Sequence, residues 1–448
     1  METLDLVKKY NVAAPRYTSY PTVPFWKNDV TDKRWFQIVK RAYFESASEG
    51  ISLYIHLPFC ESLCTYCGCS KHITANHSVE HNYIEALLDE WHQYVSAIGE
   101  KPILRELHLG GGTPTFFQPK ALERLVNGLF AYARKHEDFE ASFEGHPNNT
   151  TGDHLLTLFH LGFSRVSFGV QDLDLEVQKA IHRIQPFENL EIAVKQARRI
   201  GYRSINFDLV YGLPHQTVQS LKMTLEKSLR LSLDRIAFYS YAHVPSMFPS
   251  QKVYEQFLPD EYLKKELYDT ACAYFAQKGY KDIGMDHFTK DTDTLYEAYQ
   301  KGKLHRNFMG YTAHKSGLLI GLGASSISDA GYAYRQNEKK VKAYEQKIKE
   351  RESLHLRSHM VTTEEAATRA IILQIACNGQ AQWTEDSYVL SPEQMNTLDE
   401  MQKDGLLTYN LSSVSLSQRG RQFTRNICAV FDKYLMAKSE NMHFSKAI

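Results

Sequence analysis

Three of the seven cysteines in this chain of 448 residues lie close together, at Cys60, Cys64 and Cys67. They follow directly on a run of strand-forming residues at 52–59. Cysteine thiolates bind iron–sulfur clusters, and a short loop gathers three of them at little cost in chain entropy. Three thiolates hold three irons of a four-iron cluster, so the fourth iron is free to bind another ligand. The spacing therefore predicts a [4Fe-4S] cluster with an open coordination position.

Zinc sites and disulfide frameworks are the other common uses of clustered cysteines. His72 or His77 could complete a zinc site, but the three-residue gap between Cys60 and Cys64 differs from the usual two-residue spacing. Disulfide frameworks belong mainly to small secreted domains. Zinc is therefore the weaker alternative. Cys69 supplies a fourth thiol nearby, and we expect that it does not bind the cluster.

Polar residues recur where the predicted strands end. After the cysteine loop, these strand ends carry the run 110–114, Glu144, Gln171, Asp172, Asp208, His243, Asp286 and His287. In βα barrels, the active site lies at this end of the strands. The three glycines at 110–112 let the backbone approach a ligand closely, and the lysine of a phosphate-binding loop is absent. The pattern predicts a site for a small, amino-acid-like ligand beside the cluster.

The elements that must position these residues alternate between strands and helices. Apolar and β-branched runs occur at 51–59, 104–109, 141–144, 165–170, 204–210, 235–241 and, more weakly, 280–285. Helical periodicity separates them, for example at 78–98 and 187–200. Repeated βα units indicate a parallel sheet, so six or seven of them predict an α/β fold with a complete or open barrel.

The two ends of the chain have different patterns. The segment before Trp26 is rich in aromatic residues and is predicted to be an arm over the site. Beyond about residue 355, helices, two wing strands at 406–410 and 413–416, and a final helix at 418–437 are predicted, as in a winged-helix domain. Such a domain can bind DNA, but its three C-terminal arginines, Arg419, Arg421 and Arg425, form only a modest cluster. We expect it to close over the barrel.

Composition narrows the class of protein. Apolar residues make up 43% of the chain, which predicts a large core and two or three structural units. Lys plus Arg and Asp plus Glu number 52 each, so no global field favours nucleic acid or an anionic membrane. The first ten residues lack the apolar core of a signal peptide, and no apolar run reaches the roughly 20 residues of a membrane span. We predict a cytoplasmic protein.

The motif Cys60-x-x-x-Cys64-x-x-Cys67, with the glycine run after it, resembles the radical S-adenosylmethionine (SAM) superfamily. Further stretches resemble the oxygen-independent coproporphyrinogen III oxidase family, and the resemblance extends from about residue 5 to the C-terminus. These stretches are 15–21, 54–60, 67–69, 169–172, 208–214, 241–245, 284–288 and 305–312. The chain departs from the family at Gly145–His146, where an aspartate usually follows two residues after the glutamate, and at Met309, where glutamine is common.

The resemblance implies a set of site residues. Cys60, Cys64 and Cys67 would hold the cluster, and Tyr54 and Glu144 would have catalytic as well as cofactor-binding roles. Contacts to the cluster-bound SAM would come from Tyr54, Tyr66, Gly111, Glu144 and Ile327. A second SAM would be bound by Gly112, Thr113, Gln171, Arg183, Asp208 and Ala242. Arg16 and Arg306 are our candidates for the carboxylates of the substrate.

The implied reaction is the radical decarboxylation of two propionates of coproporphyrinogen III to vinyl groups, which gives protoporphyrinogen IX. A 5′-deoxyadenosyl radical made from SAM would abstract a hydrogen atom from each propionate. The implied electron donor is a reductase or a flavodoxin- or ferredoxin-type protein, and a monomer is expected. The alternatives are a haem chaperone of the same family, a radical SAM enzyme acting on another tetrapyrrole, and an iron–sulfur regulator that binds DNA.

These interpretations divide the chain into three parts. Residues 1–45 would form the arm and a helix, residues 46–355 the radical SAM barrel, and residues 356–448 the C-terminal winged domain. An open, partial βα barrel with a smaller, mainly helical domain is therefore the predicted fold.

Overall fold

A computed structural model describes residues 3–437 of the chain. Its central feature is a sheet of seven parallel strands, in the spatial order β7-β1-β2-β3-β4-β5-β6. These strands are β1 (Ile51–Leu57), β2 (Ile103–Gly111), β3 (Arg134–Gly145), β4 (Phe163–Gln171), β5 (Ser204–Tyr211), β6 (Arg235–Ser240) and β7 (Leu319–Leu322). The sheet curves into an open barrel, as the sequence pattern predicts.

Antiparallel strands extend both edges of this sheet. Beyond β7 lie Ile327–Asp329, Ala333–Asn337 and His355–Met360, and beyond β6 lie His287–Thr289 and Lys281–Gly284. A strand does form in the predicted segment 280–285, at Lys281–Gly284, but it is antiparallel, so the prediction of a further parallel βα unit there is wrong. That segment pairs with 287–289 in a tight hairpin, which leaves no room for the crossover helix that a parallel neighbour requires.

Helices cover the outer face of the sheet. The helices described are Thr3–Tyr10, Asp32–Glu45, Val79–Ile98, Pro119–Ala131, Gly152–His160, Leu175–Ala180, Phe187–Ile200, Val218–Leu229, Glu261–Gln277, Thr294–Gln300, Val341–Glu350, Thr363–Asn378, Pro392–Lys403, Thr424–Val430 and Lys433–Ala437. Short 3₁₀ turns lie at Val23–Phe25, Pro114–Phe116, Pro249–Phe257 and Gly420–Phe423. No helix within this part of the chain is long and apolar enough to cross a membrane.

The two faces of the parallel strands differ in chemistry. Alternate residues such as Leu53, Ile55 and Leu57 of β1 are fully buried against the helices and form the main core. The residues between them point into the barrel, because successive side chains of a strand lie on opposite faces. On β3 and β5 these inward residues include Glu144 and Asp208, which line interior cavities.

A second core joins both ends of the chain. Leu6, Tyr10, Tyr17 and Tyr20 pack with the apolar residues of the C-terminal helices, such as Ile375 and Phe431. A small sheet of Gln380–Gln382, Ser413–Leu416 and Leu407–Asn410 completes this unit, and its last two strands match the predicted wing.

The prediction of one continuous final helix at 418–437 is wrong. It divides into a 3₁₀ turn at Gly420–Phe423 and helices at Thr424–Val430 and Lys433–Ala437. The carboxylate of Asp432 accepts the backbone N–H groups of Tyr434 and Leu435, which begins a new helix after a break.

Candidate active site

The cysteine loop is closed at its base by backbone pairing. Strands Phe59–Cys60 and His72–Ile73 pair in parallel on either side of residues 61–71. The N–H of His72 donates to the carbonyl of Pro58 at 2.8 Å, and the N–H of Thr74 donates to that of Cys60 at 2.9 Å. The loop is therefore fixed at the carboxyl end of β1.

Two other chain segments hold the sides of the loop. The N–H of Thr65 donates to the carbonyl of Ile181 at 3.0 Å, and the hydroxyl of Ser250 donates to the carbonyl of Thr65 at 3.0 Å. The ring of Phe248 lies against Gly68, where a Cβ atom would be 3.3 Å from it. These contacts place the three thiols with little freedom of the backbone between them.

One cavity of about 450 Å³ is lined by all three predicted ligands and by Cys69. No three His, Cys, Asp or Glu side chains within residues 3–437 converge as a single metal ion would require. A four-iron cluster takes one protein thiolate per iron, so its ligands surround a volume instead of meeting at a point. Three thiols around one cavity fit that group. The other predicted residues on the same lining are Tyr66, Gly111, Gly112, Thr113, Glu144, Gln171, Arg183 and Asp208.

Neighbouring groups favour thiolates at part of this loop. A hydrogen bond from the Cys69 thiol lowers the pKa of Cys67, whereas burial raises the pKa of Cys60. The guanidinium of Arg183 places Nη1 at 3.5 Å from the sulfur of Cys64, and its Nη2 donates to the carbonyl of Gly169 at 2.5 Å. Arg183 therefore places a positive charge beside one of the predicted cluster ligands.

The glycine run passes close to the strand that leads into the loop. The N–H of Gly112 donates to the carbonyl of Leu57 at 2.9 Å, and a Cβ atom at Gly112 would lie 2.6 Å from the carbonyl oxygen of Pro58. Gly111 has φ +117°, a conformation that favours glycine, and its N–H donates to Oε2 of Glu144 at 3.2 Å. Only glycine therefore fits this turn beside the cysteine loop.

Two carboxylates face the cavity from β3 and β5. Glu144 keeps 42% of its side chain exposed, so it can accept hydrogen bonds from a ligand. Asp208 accepts from the hydroxyl of Ser167 at 3.1 Å and from the amide of Asn206 at 2.9 Å. Burial raises the pKa of Asp208 to about 6, and the negative charge of Glu144 adds to the effect.

Three of the predicted cofactor-binding residues lie outside this lining. The Tyr54 hydroxyl lies 3.0 Å from Nδ1 of His56, deeper in the barrel. The carbonyl of Ala242 accepts from Nε2 of Gln251 at 3.2 Å. Ile327 is on the antiparallel strand beyond β7, so the structure does not bring its side chain to the lining of the cavity.

A second cavity of about 200 Å³ continues into the barrel and shares Glu144, Asp208 and Tyr239 with the first. Arg16 of the N-terminal arm reaches its edge. Nη1 of Arg16 lies 2.9 Å from Oδ2 of Asp286, and its guanidinium lies over the Tyr239 ring at 5.2 Å. The arm therefore contributes a cation at the border of the interior cavity.

Arg306 is buried near the same edge, with only 5% of its surface exposed. Its Nε donates to the carbonyl of Arg16 at 3.4 Å, and the guanidinium lies 4.7 Å from the ring centre of Tyr311. Within the described chain, its Nη1 has no hydrogen-bond partner. Tyr311 and Met309 line the interior cavity. The antiparallel hairpin of His305–Asn307 and Gly310–Thr312 therefore brings a buried cation and two cavity-lining side chains together.

Sequence reasoning gave no role to several inward side chains. His56, His108 and Ser142 lie on β1, β2 and β3, where they contact or adjoin the predicted site residues. The available signal was the alternation of polar and apolar residues along each strand. It identifies the inward face, but it does not show which inward residues meet across strands.

Comparisons with known proteins agree with a cluster-binding site at the cysteine loop. A profile of the radical SAM superfamily matches residues 54–227. Oxygen-independent coproporphyrinogen III oxidase from Salmonella typhimurium is 37% identical, over 99% of this chain and 98% of that protein. The enzyme of the same name from Helicobacter pylori is 37% identical over the full length of both chains.

A solved structure extends the comparison to three dimensions. Coproporphyrinogen III oxidase from Escherichia coli, described as a radical SAM enzyme, superposes with a TM-score of 0.89 at 35% identity. The match covers 96% of this chain and 99% of that one. The arrangement of the arm, barrel and C-terminal helices is thus shared along nearly the whole length.

Proposed function

Because this chain belongs to the oxygen-independent coproporphyrinogen III oxidase family of radical SAM enzymes, we propose that it oxidatively decarboxylates two propionates of coproporphyrinogen III. The products would be protoporphyrinogen IX and carbon dioxide. The observation that carries the proposal is the cavity on which three thiols, two carboxylates and a glycine turn converge. It offers a cluster site and polar groups for SAM in one cavity.

Cys60, Cys64 and Cys67 are proposed to hold the cluster. When bound, a reduced [4Fe-4S] cluster would supply the electron that cleaves SAM to methionine and a 5′-deoxyadenosyl radical. Transfer of a hydrogen atom from the propionate would give 5′-deoxyadenosine and a substrate radical, which would form the vinyl group by losing carbon dioxide and passing one electron to an external acceptor. The surrounding residues must orient SAM and exclude water. Glu144 can accept from an ammonium group or ribose hydroxyls, and the Gly111 turn brings backbone groups within reach of the same ligand.

A second SAM is proposed beside the first, bound by Gly112, Thr113, Gln171, Arg183, Asp208 and Ala242. Support comes from the shared lining: all but Ala242 face the same cavity as the thiols. Arg183 can pair with a carboxylate, although its contact with Cys64 also ties it to the cluster loop. Asp208 must lose its proton to act as an anionic acceptor, so this site should favour pH values above about 6.

Arg16 and Arg306 are proposed to bind carboxylates of the substrate. A tetracarboxylate needs cations, and the free Nη1 of Arg306 is a buried donor whose hydrogen bond a propionate could supply. Arg16 now pairs with Asp286, so a propionate would compete with that carboxylate for it. The position of both arginines beside the interior cavity supports this assignment.

The remaining assignments concern organisation and partners. We propose an arm at 1–45, a catalytic barrel at 46–355 and a covering domain at 356–448, in a monomer reduced by a flavodoxin- or ferredoxin-type donor or by a reductase. The contact between Tyr17 and Asp432, at 3.0 Å, supports an arm that packs with the C-terminal unit. A reducing compartment such as the cytoplasm would keep the cysteines available.

The deciding experiment is anaerobic product analysis. The protein is reconstituted with iron and sulfide, reduced, and incubated with SAM and coproporphyrinogen III, with a Cys64→Ala variant as the matched control. Vinyl products and released carbon dioxide from the wild-type protein alone are expected. Stoichiometric haem binding without any decarboxylation would overturn the proposal in favour of a carrier.

A further inference from the structure

Three side chains on neighbouring strands form one row across the interior of the barrel. Tyr54 of β1 is in register with His108 of β2, and His108 is in register with Ser142 of β3. Glu144 follows Ser142 by two residues, so it points to the same face one step nearer the cluster loop. The row therefore lies directly beneath the carboxylate that faces the thiol cavity.

His108 is connected to both residues of β3. Its Nδ1 lies 2.7 Å from the Ser142 hydroxyl, and its Nε2 lies 3.4 Å from Oε1 of Glu144. The hydroxyl of Ser142 can donate to Nδ1, whereas a carboxylate can only accept. This pairing leaves the proton of a neutral imidazole on Nε2, where it is directed at Glu144.

The ring of His108 is also fixed by stacking. Its centre is 5.9 Å from that of Tyr54, with 18° between the two planes. A Cβ atom at Gly110 would lie 3.0 Å from both Glu144 and Tyr54, so the glycine leaves the space that these side chains occupy. The orientation of His108 is thus set by a hydrogen bond on one side and an aromatic face on the other.

Glu144 has one donor for each carboxylate oxygen. Oε2 accepts from the N–H of Gly111 at 3.2 Å, and Oε1 faces Nε2 of His108. The exposed part of the side chain keeps further lone pairs available to a ligand in the cavity. Without His108, the Gly111 N–H would be the remaining hydrogen-bond donor to Glu144 among the contacts described.

We propose that His108 is a positioning residue for SAM binding, which acts by donating from Nε2 to Glu144 while Ser142 fixes its tautomer. The inference rests on the proposed contact between Glu144 and SAM. Held by two donors, the carboxylate meets the ligand in one orientation and pays less ordering entropy on binding. His108 itself touches neither SAM nor the cluster in this scheme.

Two substitutions distinguish the effect of the His108 hydrogen-bond donor from the effect of its aromatic ring. His108→Phe keeps an aromatic ring against Tyr54 but has no donor, whereas His108→Gln keeps an N–H donor without the ring. Each protein is reconstituted to matched iron and sulfide content. The SAM dissociation constant is then measured by titrating the reduced cluster and following its electron paramagnetic resonance signal.

We expect His108→Phe to raise the SAM dissociation constant about tenfold, since hydrogen bonds to charged groups are among the stronger ones. His108→Gln should stay within about threefold of the wild type, and Ser142→Ala should lie between the two. In a Glu144→Gln background, the effect of His108→Phe should shrink to less than about twofold, because coupled residues are not additive. The KM for SAM should rise more than kcat falls.

The outcomes distinguish this inference from the proposed function. Wild-type SAM affinity in His108→Phe, together with weakened affinity in Glu144→Gln, overturns the role of His108 and leaves the function intact. Equal losses in His108→Phe and His108→Gln overturn it too, since the packing of the ring would then be what matters. Unchanged affinity in Glu144→Gln contradicts the SAM site itself. If His108→Phe does not fold, full affinity in Ser142→Ala together with a loss in His108→Gln overturns the inference.

Discussion

Substitution of Gly112 by alanine tests whether the glycine turn and the cysteine loop are packed as one unit. The added Cβ would lie 2.6 Å from the carbonyl oxygen of Pro58, 2.7 Å from its carbonyl carbon and 2.9 Å from the oxygen of Phe59. Real Cβ atoms keep at least about 3.0 Å from such neighbours. All three contacts are backbone atoms, so no side chain can rotate away to relieve them.

The required shift falls on the segment that carries the first cluster ligand. Pro58 and Phe59 must retreat by about 0.4 Å from Gly112, and Cys60 follows them directly. Overpacking of this kind costs roughly 1–3 kcal/mol, which corresponds to about a 5–150-fold change in an equilibrium constant. We expect that the native loop is destabilised by this amount and that cluster occupancy and SAM affinity both fall.

The assay compares Gly112→Ala with Gly152→Ala, a matched control. At Gly152, which begins the helix Gly152–His160, the nearest atom to an added Cβ is a side-chain oxygen of Gln196 at 3.4 Å, an ordinary contact. Iron and acid-labile sulfide are measured after anaerobic reconstitution, and stability is measured by urea unfolding. Normal cluster content, SAM affinity and urea midpoint in Gly112→Ala would refute the packing argument.

The other predictions concern the ligands, the second site and the substrate cations. Cys64→Ala should abolish both the cluster and turnover, whereas Cys69→Ala should leave the cluster assembled, as iron and sulfide analysis would show. Asp208→Ala should reduce product formation more than SAM cleavage, measured as protoporphyrinogen IX against 5′-deoxyadenosine. Asp208→Asn should gain stability relative to the wild type as the pH rises from 5 to 7.5, measured by urea midpoints. Burial raises the pKa of Asp208 to about 6, so the folded protein takes up more protons than the unfolded chain between about pH 4 and 6 and loses stability as that proton leaves. Arg306→Met should raise the KM for coproporphyrinogen III about tenfold or more.

Each of these has an outcome that contradicts it. Retained iron with full activity in Cys64→Ala, or a collapse of iron content in Cys69→Ala, would show that the ligand set is wrong. Equal loss of cleavage and product in Asp208→Ala would argue against a second SAM site. A pH-independent difference for Asp208→Asn would contradict its raised pKa. An unchanged KM for coproporphyrinogen III in Arg306→Met would show that Arg306 does not bind the substrate. The exposed Arg41→Met is the matched control and should also leave this KM unchanged.

Local sequence patterns were sufficient for much of the architecture. Six of the predicted parallel strands and the helices 78–98 and 187–200 occur within one to three residues at most of their ends, with a longer extension at the start of β3. Periods of two and of three to four residues report which face of an element is buried, and that information is present in a short window. The prediction for segment 280–285 was wrong in the orientation of its strand, because an apolar run does not specify whether its partner strand is parallel or antiparallel.

The sequence alone was sufficient to predict Cys60, Cys64 and Cys67 as cluster ligands, because ligands on one short loop need no distant chain segment to bring them together. The tertiary structure decided what surrounds them. Contact between Arg183 and Cys64 joins residues 119 positions apart, and the row that supports Glu144 requires the register of three strands. Such distances follow from strand register and crossover geometry, which no local pattern encodes.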